Sequence, residues 1–339
     1  MKAQVRRAIL KRAIGYPALV ALAVAALWAV SIRMPGASHT GPLPPMTPAE
    51  LESRDHLRNH VEALAGRIGE RNHVRQHTLD SAAVHVERAL TALGYDVVRH
   101  DYTARGGTFR NLEATLPGTR RPGELIVIGS HYDSVEDSPG ADDNASGTAG
   151  MLELARILRD RRPERSIRFI AFANEEPPWF FTDDMGSRRY ARLARQRGDS
   201  IVAMLSIETI GYYSDSAGSQ RYPPILGWFY PDRGDFIGIV GNIASRSLVR
   251  DVVRSFRSHT AFPSQGSAAP TQIPGISWSD QWSFWQEGYP AVMITDTAPF
   301  RNDHYHTRGD QPHTLDYEKM ARVVHGIART VAELAAATT

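Results

Sequence analysis

Leu125-Ile-Val-Ile-Gly-Ser-His-Tyr-Asp133 decides how this chain is read. The apolar run is short, as expected of a strand buried on both faces. A histidine and an aspartate follow where the strand ends. The same arrangement recurs further on. Ile167-Arg-Phe-Ile-Ala-Phe-Ala-Asn runs into Glu175-Glu176, Met204-Leu-Ser-Ile carries Glu208, and Met293-Ile-Thr-Asp296 precedes a loop with His304 and His306. Open α/β sheets bind ligands outside the carboxyl ends of their strands. Four strand ends therefore bring acidic and imidazole groups to one edge.

The segments between and around these strands supply the helices. Gly147 to Leu158 and Ser187 to Arg195 have helical spacing, and Leu315 to Ala336 closes the chain as an amphipathic helix. Upstream, Thr47-Pro48-Ala49-Glu50 reads as a cap opening a helix to about Ala65. A second helix runs from about Val74 to Leu93 and stops at Gly94. Val97 to Thr103 and Phe109 to Leu116 read as strands turning at Gly106-Gly107. Strand–helix alternation predicts an α/β fold with a largely parallel central sheet covered on both faces. Tyr212 to Phe236, rich in Gly, Pro and aromatics, breaks the pattern. It is either a packed surface excursion or a wall over the site. Trp278 and Trp282 sit at helical spacing, which favours core positions over pocket lining.

Composition excludes several chemistries. The 339 residues contain no cysteine, so disulfides, thiolate nucleophiles, iron–sulfur clusters and Cys-bound zinc are ruled out. A bound metal must take His, Asp and Glu ligands, which suits zinc, manganese or cobalt. A formal net charge of +2 gives no reason to expect a nucleic-acid partner. Lys2, Arg6, Arg7, Lys11 and Arg12 precede an uncharged apolar run from Ala13 to Ile32. The expected organisation is a basic cytoplasmic segment (1–12), a transmembrane signal-anchor helix (13–32), a linker (33–47) and one catalytic domain (48–339). The domain then lies outside the cytoplasm, and it is secreted if the leader is cleaved.

The polar groups at the strand ends argue for metal as a set. Glu175-Glu176 lies between an apolar strand and Pro177-Pro178, at the rim of the core. Carboxylates gathered there repel one another unless cations neutralise them. A two-metal site meets that need with a bridging carboxylate plus terminal His and acidic ligands. Gly140-Ala-Asp-Asp-Asn-Ala-Ser-Gly147 supplies the bridge candidates, while Asn144 or Ser146 can cap the helix that follows.

These residues resemble the co-catalytic zinc aminopeptidases of metallopeptidase family 28. The similarity is carried by Ser130-His-Tyr-Asp-Ser134, by Gly140 to Gly147 with Leu152-Glu-Leu-Ala-Arg156, by Ala173-Asn-Glu-Glu176 with Gly186-Ser-Arg-Arg-Tyr190, and by Tyr305-His-Thr-Arg-Gly-Asp310. Ser279-Asp-Gln281 with Gly288-Tyr-Pro290 adds a fifth block. The resemblance implies a three-layer sandwich with a mixed, mostly parallel sheet flanked by helices. It implies two zinc ions, one held by His131 and Glu208, the other by Glu176 and His306, with Asp143 bridging. Asp133 would orient His131, and Glu175 would act as general base. Glu208 departs from the aspartate that many members carry there, which leaves the ligand chemistry unchanged.

The implied reaction is hydrolysis of N-terminal residues from peptides. Three alternatives share the scaffold: a carboxypeptidase or other amidohydrolase, for which Arg188, Arg189 or Arg301 would have to read a carboxylate; a single-zinc glutaminyl cyclase; and a non-catalytic binding module.

Overall fold

The computed structural model describes residues 28–224 and 226–336. Helix α1 (Pro48–Val61) opens on a capping box, with Thr47 and Glu50 each satisfying the other's free amide. Helix α2 (Gln76–Ala92) leads to the hairpin β1 (Val97–Ala104) and β2 (Gly107–Leu116). The order then alternates: β3 (Arg121–His131), α3 (Gly147–Leu158), β4 (Arg165–Phe172), α4 (Gly186–Arg197), β5 (Ser200–Ile207). Beyond the excursion come β6 (Ile237–Asn242), α5 (Arg246–His259), β7 (Ser264–Ala269), α6 (Gln281–Gln286), β8 (Ala291–Thr295) and α7 (Tyr317–Ala335).

All eight strands join one sheet, ordered β1-β2-β4-β3-β5-β8-β6-β7. Its central pairs β4–β3–β5–β8 are parallel, as is the edge pair β6–β7, while β1–β2, β2–β4 and β6–β8 are antiparallel. The sheet is therefore mixed, as expected, and covered on both faces. Helices α1, α2, α3, α5 and α7 pack on one face around Ile126, Ile128, Phe169 and Leu205. Helices α4 and α6 cover the other around Val127, Phe172, Met204 and Phe284. Alternate residues of β3 thus enter two different cores, which is why its sequence shows no polar face.

Composition hid four elements. Strands β6 and β7, and helices α5 and α6, lie in the stretch after the excursion where no regular element was expected. Strand β7, Ser-Gln-Gly-Ser-Ala-Ala, lacks any large apolar residue. Small residues are what the site demands: a Cβ on Gly266 would lie 2.7 Å from both Met34 Cγ and Val253 Cγ2.

Of the proposed membrane segment, residues 13–27 lie outside the described residues, as does the basic segment 1–12. Among the described residues, no helix is long and apolar enough to cross a membrane. Trp28–Ile32 form one helical turn, with Ser31 and Ile32 buried against β7. Residues 33–47 carry no regular structure but lie along the domain: Arg257 donates to the carbonyls of Pro35 and Gly36, and Arg322 to that of Pro44.

The turn between β3 and α3 depends on one close approach. A Cβ at Gly147 would lie 2.2 Å from Asn144 Oδ1 and 2.3 Å from Ile207 O. Gly147→Ala should therefore cost about 1–3 kcal/mol by overpacking and weaken zinc retention together with the loop. Thermal melts with and without chelator check this; an unchanged melt and full metal content would contradict it.

Candidate metal centre

The parallel strands aim their carboxyl ends at one pocket. His131 is the last residue of β3, Glu208 directly follows β5, and Glu175-Glu176 lie just beyond β4. Asp143 comes from the loop before α3, and His306 from the loop after β8. The structure brings all five expected ligands together. His131 Nε2 lies 3.1 Å from Glu208 Oε2 and 3.3 Å from Asp143 Oδ1. His306 Nε2 lies 3.0 Å from Asp143 Oδ2 and 3.3 Å from Glu176 Oε2. Two clusters result, His131–Asp143–Glu208 and Asp143–Glu176–His306, each with its donor atoms within 4.8 Å of one another. Asp143 belongs to both and offers one oxygen to each.

The alternatives resolve by position. His304 joins neither cluster and stands edge-on to Tyr212. Asp142 is occupied elsewhere, accepting from Gly211 N and Asn302 Nδ2. Asn144 and Ser146 both act as loop fasteners: Asn144 Oδ1 accepts from Gly147 N and Thr209 N, and Ser146 Oγ accepts from Ile210 N.

The donor set fits a metal pair. His131 is fully buried, yet neither ring nitrogen has a hydrogen-bond partner, and Glu176 Oε1 is also without one. Leaving such groups bare in a core is costly. Imidazole and carboxylate donors of this kind match the ligands zinc takes at catalytic sites.

Electrostatics in the metal-free chain point the same way. Burial works against a charged His131, but the carboxylates of Glu208 and Glu175 override it and raise its pKa well above the ordinary value. His306 is likewise opposed by burial but raised to about 11, through hydrogen bonds to Asp143 and Glu176. Burial pushes Glu176 up to about 7, with Asp143 adding to the rise, and burial also raises Glu208. Burial would raise Asp143 too, but the adjacent imidazoles of His131 and His306 hold it far below the carboxylate range.

Glu175 and Asp133 flank the clusters. Glu175 Oε2 is 3.9 Å from His131 Nε2, and burial first, then Glu176 and Glu208, raises its pKa. Asp133 faces His131 Nδ1 at 3.4 Å, and its two oxygens accept from the backbone amides of Glu175 and Glu176. One carboxylate therefore positions the imidazole and the Glu-Glu turn together.

Several supporting residues escaped the sequence reading. Arg71 is fully buried and donates to the carbonyls of Tyr132, Gly69, Pro139 and Gly140, which fixes the start of the 131–143 loop. Asp310 accepts from the amides of Asp142 and Asp143. Ser279 Oγ donates to Glu208 Oε2 at 2.6 Å. Asp310 and Ser279 sat within the quoted blocks without a role; Arg71 had no local signal at all. Three non-glycine residues here, Asn174, Thr209 and His306, have φ of 58°, 48° and 58°. Such conformations cost of order 1–3 kcal/mol each and gather at working sites.

An apolar cavity opens beside Glu208 and Tyr305, enclosing with its mouth about 820 Å³. The excursion of residues 212–236 walls it with Tyr222, Leu226, Tyr230 and Phe236. Neither tryptophan is core: Trp278, 40% exposed, stacks on Phe300 at the cavity rim, and Trp282 packs half-buried on Phe181.

Known proteins are similar to this chain in sequence and in fold. The model of peptidase family M28 matches residues 111–331. The uncharacterized protein YfbL of Escherichia coli (strain K12) is 39% identical over 292 residues, covering 84% of this chain and 88% of YfbL. Leucine aminopeptidase 1 of Trichophyton rubrum is 27% identical over 254 residues, covering 69% of this chain but only 62% of the fungal protein. In fold, the chain is similar to a zinc aminopeptidase from Bacillus subtilis (TM-score 0.67, 15% identity, 83% of this chain and 95% of that one). It is also similar to the glutaminyl cyclase of Fimbriiglobus ruber (TM-score 0.62, 17% identity, 88% and 98%).

Without metal the surrounding carboxylates favour the protonated form of both imidazoles, and metal ligation requires them neutral. Zinc uptake at pH 7 should therefore release protons, and affinity should fall as the pH is lowered. Calorimetric titration in buffers of different ionisation enthalpy measures this; a heat independent of buffer would contradict it.

Proposed function

This chain belongs to peptidase family M28, and from that membership we propose that it is a two-zinc aminopeptidase acting on peptides, with Glu175 as its general base. As a member it is a zinc metallopeptidase. The observation that carries the two-metal reading is the sharing of Asp143 between two clusters, each complete with a histidine and a second carboxylate.

The zincs, when bound, supply Lewis acidity for the scissile carbonyl and lower the pKa of water nearby. His131, Asp143 and Glu208 would hold one ion, and Asp143, Glu176 and His306 the other. Glu175 has the burial and reach to take a proton from the attacking water and return it to the leaving amine. Its raised pKa in the metal-free chain suits a group that must both accept and donate. Asp133 keeps Glu175 in place through its backbone amide.

Exopeptidase direction follows from charge. Carboxylates at the rim favour a free α-amine. A carboxypeptidase would need a cation at the metal clusters, and the three arginines considered are engaged elsewhere: Arg188 pairs with Glu287, Arg189 with Asp184, and the buried Arg301 donates to Gln220, Tyr212 O and Phe236 O. Two complete clusters likewise favour a peptidase over a single-zinc cyclase. Among the described residues lining the apolar cavity, Glu208 alone carries a charge. A large uncharged N-terminal side chain fits there, because a charged one would be desolvated without a partner.

Membrane anchoring belongs to the same proposal. It is supported by the uncharged run that follows five basic residues. The catalytic domain would then sit outside the cytoplasm.

Glu175→Gln should keep both zincs and lose turnover by roughly 10²–10⁴-fold, the usual worth of a positioned base. Near-normal rates on aminoacyl anilides would remove Glu175 from the mechanism. Val240, whose side chain lines the cavity from β6, sets its depth. Val240→Trp should cut kcat/KM for leucyl and phenylalanyl substrates roughly tenfold or more relative to alanyl ones. An unchanged ratio would place the first residue elsewhere.

A further inference from the structure

Trp28 lies within the last five residues of the apolar run of residues 13–32, and exposed apolar groups gather around it. Ile243, at the start of the β6–α5 connection, is 43% exposed, and Trp28 and Val30 are exposed to 44% and 43%. They are neighbours, since the Arg246 amide donates to Ile243 O while its guanidinium donates to the carbonyls of Ala29 and Val30. The Arg33 guanidinium lies 5.6 Å over the Trp28 ring. Along α5, Arg246, Arg250 and Arg254 recur every fourth residue and so form one stripe. The acidic group beside them is Asp251, which Arg254 engages.

The attachment is rigid. Arg250 donates to Arg33 O, and Arg257 to Pro35 O and Gly36 O, so α5 grips the chain through successive carbonyls as it leaves Trp28. Met34 packs against Gly266 and Val253. The last residues of the apolar run, Ser31 and Ile32, are themselves buried against β7. If that run sits in a bilayer, the surface around Trp28 is held against the headgroups.

We propose that the corner formed by Trp28, Val30, Ile243 and the α5 arginine stripe docks on the anionic phospholipid headgroups of the bilayer that holds the N-terminal segment. This rests on the anchored reading above. Exposed apolar groups enter the interface, where tryptophan is favoured, and the arginines meet phosphates. The domain is thereby given one orientation, with β7 towards the lipid and β1, at the opposite edge of the sheet, away from it.

The chain has no cysteine, so single labels are clean. Full-length Ile243→Cys and Val98→Cys, the latter 50% exposed on β1, would each carry a fluorophore. Each is reconstituted into nanodiscs of phosphatidylcholine, with and without phosphatidylglycerol, containing a headgroup nitroxide lipid. The expected result is strong quenching at position 243 and none at 98. Quenching at 243 should be greatest with phosphatidylglycerol and reduced by salt or by Arg254→Glu. Equal quenching at both positions in disc-bound protein overturns the docking and leaves the anchor standing. Protein that fails to enter discs overturns anchor and docking together.

Discussion

One carboxylate standing between two imidazoles organises this molecule. Asp143 presents Oδ2 to His306 Nε2 at 3.0 Å and Oδ1 to His131 Nε2 at 3.3 Å. With Glu176 and Glu208 nearby, negative charge accumulates where water cannot dilute it. Burial raises Glu175, Glu176 and Glu208, and bound cations would relieve that cost by neutralising the cluster. The site is thus built for divalent charge before any substrate is considered.

Holding Asp143 there requires support from distant parts of the chain. Asp310 grips the backbone of Asp142 and Asp143, Asn144 ties the loop to Thr209 and the Ile207 carbonyl, and Arg71 ties its start to four carbonyls. Glu208 is steadied by Ser279, and Glu175-Glu176 by Asp133. The fasteners are spread along the chain: Arg71 before β1, Asp133 and Asn144 after β3, Ser279 between β7 and β8, and Asp310 after β8. The parallel centre of the sheet makes this possible, because it delivers the connections that follow its strands to one edge.

The legible part of the sequence was the part where burial and chemistry coincide. Strands β3, β4, β5 and β8 are continuous apolar runs ending in ligands or ligand-bearing loops, and both their type and their cargo could be read. Within residues 237–286, β7 (Ser-Gln-Gly-Ser-Ala-Ala) carries no apolar pattern and glycines interrupt β6, whereas α5 does show a helical stripe of Leu248, Val249, Val252, Val253 and Phe256. Arg71 was invisible for another reason. Its role comes from carbonyls some 60 residues away, whereas its neighbours Glu70 and Asn72 suggest only a polar loop. The two tryptophans misled because spacing says which residues share a face but not what that face meets; at positions 278 and 282 it meets a cavity rim and an aromatic cluster.

The central claim is that two cations flank a single carboxylate, and X-ray diffraction of zinc-soaked crystals at the zinc absorption edge tests it most directly. Two anomalous peaks are expected, one beside His131 and Glu208, the other beside Glu176 and His306, with the Asp143 carboxylate between them. One peak alone, or two that do not share Asp143, would contradict the account.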